Sequence, residues 1–62
     1  MEHLISIWSR NKETGKYFID IHLILTDIDI EELAVKQYKE DYINRIDEDR
    51  YEYSARIDET KH

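Results

Sequence analysis

The chain has 62 residues, a formal net charge of −6 and no cysteine. That is enough for one small domain, residues 1–62, and it excludes disulfides and thiolate metal sites. It also argues against direct nucleic-acid binding, which needs a basic footprint.

The charge is unevenly placed. Residues 1–26 balance, whereas residues 27–62 hold twelve acids and six bases and so carry the whole −6. A basic protein is the better electrostatic partner for such a surface. No charged segment leading into an apolar run follows Met1, and no stretch approaches the roughly 18 apolar residues of a membrane span. These features read as a cytoplasmic protein.

In chain order, the first predicted strand is 4–9, with Ile5 and Ile7 on one face and Leu4, Ser6 and Trp8 on the other. Asn11 to Gly15 reads as a hairpin turn, in which the chain's only glycine supplies a positive φ. The second strand, 16–26, alternates Tyr17, Ile19, Ile21, Leu23 and Leu25 on a buried face. Ile5 and Ile7 then share that face with Ile19 and Ile21. Trp8, Phe18 and Ile24, with Leu4, are left as an apolar patch on the open side, a dimer or partner surface.

A helix is predicted over 30–46. Asp29 is its expected N-cap, Glu32 closes a capping box, and Ile28 with Leu33 forms a hydrophobic staple. Its apolar stripe reads Ile30, Leu33, Ala34, Tyr38, Tyr42, Ile43 and Ile46. Glu32 with Lys36, and Asp41 with Arg45, are correctly oriented i,i+4 pairs. The acids Asp27, Asp29, Glu31 and Glu32 suit the positive end of a helix, and they also form a patch that a basic surface could recognise.

Residues 51–58 alternate strictly: Tyr51, Tyr53, Ala55 and Ile57 against Glu52, Ser54, Arg56 and Asp58. This favours a third strand. The rival is a long C-terminal helix, giving ββα, because no Gly or Pro intervenes. Thr60 to His62 are expected to fray. The fold predicted is α+β: a three-stranded antiparallel sheet in the order 2-1-3, with one helix on one face (ββαβ).

Catalytic chemistry is not apparent. No serine stands in a nucleophile motif, no glycine loop cradles phosphate, and His22 reads as a sheet residue, not a metal ligand. The chain therefore reads as a binding protein without cofactor, not an enzyme.

Gly15, Lys16, Phe18, Asp20, His22, Leu25, Asp29, Glu31 and Leu33 stand in register, without a gap, with a pattern of another kind. Here the chain resembles the small acidic phage-encoded inhibitors of uracil-DNA glycosylase. The pattern has an aromatic where Ile30 stands and another where Ala34 stands. The resemblance implies a homodimer that presents a hydrophobic groove flanked by acids. The groove takes the apolar side chain that the glycosylase wedges into DNA, and the acids stand in for phosphates against a basic cleft. Asp29 and Glu31 match positions of the partner surface. Ile30, Glu32, Tyr38 and Tyr42 on the same helix complete the expected partner-binding set. Other host DNA-acting enzymes, of CRISPR or restriction systems, are alternative targets. A small oligomerisation or antitoxin-like module is the alternative of a different class.

Overall fold

The computed structural model describes residues 2–26 and 31–61. Strand β1 spans Glu2–Asn11, β2 Tyr17–Thr26 and β3 Tyr51–Lys61. Helix α1 spans Glu31–Asp41 and is followed by a 3-10 turn at Ile43–Arg45. The sheet order is β2-β1-β3, with both pairings antiparallel. This is the predicted ββαβ arrangement, and the strand alternative for residues 51–58 prevails over the long helix. No helix of the described residues is long and apolar enough to cross a membrane.

The β1–β2 turn is built by its polar residues. Asn11 Oδ1 accepts from the backbone N–H groups of Glu13 and Thr14, and the Gly15 N–H donates to the Asn11 carbonyl at 2.7 Å. Gly15 has φ +75°, and a Cβ there would meet only Arg10 Nη2 at 3.6 Å. The demand for glycine is therefore conformational and not steric. Gly15→Ala is expected to cost about 1 kcal/mol, the left-handed penalty, as read from a thermal or urea melt.

The core is small. Ile5 and Ile7 of β1 and Ala34 and Tyr38 of α1 are fully buried, and half-buried Ile21, Leu23, Leu25, Tyr42, Ile46, Tyr53, Ala55 and Ile57 pack around them. Ala34 and Tyr38 are one helical turn apart, so they share the inward face. The small Ala34 lets α1 sit close, mainly over β3. Tyr38 stacks obliquely near Tyr42 and Tyr53, with ring centroids 5.2 and 6.1 Å away.

Two β-bulges change the predicted faces. Ile7 pairs with Ile21 but Trp8 pairs with Ile19, so Asp20 is an extra residue in β2. The bulge carries Asp20 to the helix side, where its carboxylate accepts from the Tyr38 hydroxyl and lies 3.8 Å from Arg45 Nη2. Beyond it the alternation is reversed. Ile19, opposite Trp8, joins the open face and does not share the buried face with Ile21; Tyr17 goes with it. Phe18 pairs with Ser9 and leaves the open face predicted for it, although at 58 % exposure it is not covered by the helix. The second bulge inserts Asp58 into β3, since Ile5 pairs with Ile57 and Leu4 with Glu59.

Three boundaries also differ from expectation. The helix stops at Asp41 instead of 46 because Arg45 N–H bonds to the Tyr42 carbonyl, tightening the chain into the 3-10 turn that leads back to β3. Ile43 is consequently 71 % exposed, off the apolar stripe. Asp41 accepts from Gln37, at 3.0 Å, and Arg45 turns to Asp20 instead of Asp41. Finally, β3 continues to Lys61, with His3 Nδ1 2.9 Å from Thr60 Oγ1, so Thr60 and Lys61 are paired and not frayed.

Candidate partner-binding groove

Because α1 sits over β3, a groove of about 290 Å³ opens between the first turn of the helix and the strand. Its floor is Val35, Tyr53 and Ala55, with Ser54 beside them, and its rim is Glu31 and Glu32. Both glutamates are exposed. They stand in the first turn of α1, where the helix dipole stabilises negative charge, so the fold tolerates two adjacent acids there. Val35 lies one turn after Glu31 and reaches the groove from the same side.

The depression continues along the helix past Lys36, Lys39, Glu40 and Ile43. Lys39 also pairs with Glu48, to whose carbonyl Lys12 Nζ of the β1–β2 turn donates. The Lys39 hydrogen bond and charge hold the Glu48 carboxyl below its ordinary pKa. Lys39 and Lys12 are thereby engaged with Glu48, and among the described residues neither Glu31 nor Glu32 forms an ion pair. An apolar floor with an acidic rim suits an apolar side chain flanked by basic groups.

The predicted partner-binding residues divide. Glu31 and Glu32 are on the rim. Asp29 and Ile30, with the cap and staple assigned to Asp29 and Ile28, lie outside the described residues. Tyr38 is a correction: it is fully buried and its hydroxyl is satisfied by Asp20, so it is a core residue with no surface to offer. Tyr42 is half-buried against the same core, with the Arg45 guanidinium 5.9 Å over its ring. Val35, Tyr53 and Ala55 were not in the expected set. The strict alternation of 51–58 placed Tyr53 and Ala55 on one strand face, but only the helix position reveals that they also line a groove.

The open sheet face is less bare than expected. Trp8 Nε1 donates to Ser6 Oγ at 2.9 Å, and the Arg56 guanidinium lies 5.8 Å over the Trp8 ring while its Nε donates to Asp58 at 2.6 Å. Arg10 pairs with Glu52 across β1 and β3 at 3.3 Å. Ile24 remains 67 % exposed and Ile19 48 %. No buried side-chain polar atom among the described residues lacks a partner.

The Arg56 hydrogen bond, helped by the Ser6 hydroxyl, holds the Asp58 carboxyl below its ordinary value. A depressed folded-state pKa stabilises the fold above the unfolded value, about 4 for aspartate, and is lost as pH falls through the lower one. Thermal melts from neutral pH down to about 3 are therefore expected to fall less steeply for Asp58→Asn than for the wild type.

Among the described residues no group of three or more His, Asp or Glu side chains is placed to hold a metal ion. Comparison of the chain with protein-family models, curated proteins and solved structures finds no match.

Proposed function

We propose that the protein is a small acidic inhibitor of the phage type, acting in the host cytoplasm, which mimics DNA and blocks a host DNA-acting enzyme. Uracil-DNA glycosylase is the target named. The observation that carries the reading is the groove between α1 and β3, an apolar floor of Val35, Tyr53 and Ala55 beneath the exposed acids Glu31 and Glu32. The resemblance over Gly15–Leu33 supplies the target class.

In this mechanism Glu31 and Glu32 occupy the place of phosphates and pair with the cationic groups of the DNA cleft. The floor receives an apolar side chain that otherwise enters DNA. The net charge of −6 steers the encounter with a basic surface. The inhibitor works as a homodimer, which supplements a small core in which, among the described residues, Ile5, Ile7, Ala34 and Tyr38 are fully buried.

The test is uracil excision from duplex DNA by the glycosylase with the protein added. Excision is expected to be suppressed, and Glu31→Gln is expected to need about tenfold more protein for the same suppression, equivalent to about 1.4 kcal/mol. Its thermal stability should stay close to that of the wild type, because Glu31 is exposed. Undiminished excision at saturating protein rejects the glycosylase as target.

A further inference from the structure

Strand β3 is an edge of the sheet, because β1 pairs with its inner side only. An edge strand turns the N–H and C=O of every second residue outward, where a further strand can pair with them. A cleft runs along this edge. The groove already described is lined on the strand side by three consecutive residues, Tyr53, Ser54 and Ala55. Their side chains alternate between the two faces of the sheet, so a depression that touches all three meets the strand from its edge, where the main chain is. A second depression, of about 470 Å³, repeats this with Tyr51, Glu52 and Tyr53. The bulge of β3 lies farther on, at Asp58, so this stretch is regular.

The other wall of the cleft is α1. Glu31, Val35 and Lys39 stand one helical turn apart and form a single stripe, with Glu31 and Val35 lining the first depression and Lys39 the second. The stripe is about 12 Å long at 1.5 Å per residue. Tyr51 to Ala55 span about 13 Å of strand. The two walls therefore match over four or five residues of extended chain. We propose that this cleft takes an extended segment of another protein, which adds to β3 as a fourth strand. The inference deepens the proposed function and rests on its groove: the apolar side chain that enters between Val35, Tyr53 and Ala55 is carried on a strand, and main-chain bonds to β3 hold that strand.

Charge selects the occupant. Glu31 and Glu32 are exposed at one end of the cleft and, among the described residues, form no ion pair, whereas Lys39 at the other end is held by Glu48. The segment therefore carries lysine or arginine at the end beside the two glutamates, with apolar side chains at alternate positions turned toward α1. A second copy of this chain is the poorer occupant. Residues 27–62 carry the whole net charge of −6, so two copies joined at this edge would meet through their acidic halves.

The probe is a capped heptapeptide of two lysines followed by alternating valine and threonine, titrated into the full chain to about 1 mM and followed by amide chemical shifts and exchange. Between Tyr51 and Ile57 every second β3 amide is expected to shift and gain protection, while β2 amides stay as they were. N-methylation of alternate peptide amides in one register is expected to weaken binding about tenfold or more, and in the other register to leave it within about twofold. Exchanging the two lysines for glutamates is expected to weaken it about tenfold. Unchanged β3 amides at the highest peptide concentration overturn the proposal. So does equal binding by the two N-methylated peptides, which is side-chain docking without a strand, or equal binding by the glutamate peptide. Protection of β3 that rises with protein concentration, without peptide, gives the edge to a second copy and overturns it as well. The glycosylase enters none of these measurements. Suppressed excision without peptide pairing leaves the target reading standing, and pairing without suppression leaves the strand-binding edge standing.

Discussion

Tyr38→Ala is expected to remove about half or more of the folding free energy. Truncating a fully buried aromatic costs about 3–5 kcal/mol, and a chain of this length holds roughly 3–9 kcal/mol in all. The ring packs on Ile5 and Ile7 and lies beside Tyr42 and Tyr53, so no neighbour can collapse into the gap without leaving its own place. Tyr38→Phe separates the ring from its hydroxyl. It keeps the packing and removes one hydrogen bond to Asp20, which retains Arg45. A loss of about 1–2 kcal/mol with the fold intact is expected for it. Urea melts of the two variants check both values. Equal stability of Tyr38→Ala and wild type would contradict the burial described for this side chain.

Reversing both rim acids, Glu31→Lys with Glu32→Lys, is expected to weaken target binding by about 2–5 kcal/mol, much of it through the on-rate. Two charges that attract a basic cleft become two that repel it. The helix also loses favourable charge at its first turn and gains unfavourable charge there, which softens the fold by about 1 kcal/mol. Binding is therefore measured below the melting range of the variant. The effect should shrink as salt is raised, because exposed charges are screened over about 10 Å at 0.1 M.

The order of elements was legible because each has its own period: two for the strands and three to four for the helix. Gly15 marked the turn for a reason visible in the sequence, since it is the only residue there free to take positive φ. The bulges were hidden by the same alternation. Tyr17, Ile19 and Ile21 continue the odd-numbered apolar series straight through Asp20, so nothing in the spacing announces an extra residue. What holds Asp20 in place is a long-range bond from Tyr38, eighteen residues away. Asp58 is hidden likewise, because it becomes an extra residue only through the pairing of Ile57 and Glu59 with Ile5 and Leu4 of the first strand.

The candidate site was half legible. Glu31 and Glu32 are exposed acids at a helix start, a local property. Tyr38 was misplaced because a tyrosine at stripe spacing suits either the core or an amphipathic surface, and only the position of Asp20 decides. Val35, Tyr53 and Ala55 became a groove through the offset of α1 toward β3, which no local pattern encodes.

Isothermal titration of the protein into uracil-DNA glycosylase, with and without saturating DNA on the enzyme, tests the mimicry most directly. Tight binding to the free enzyme is predicted, falling off as DNA occupies the cleft and as salt rises. Binding that is unaffected by DNA, by salt and by Glu31→Gln would contradict it and leave the acidity as solvation of an oligomerisation module.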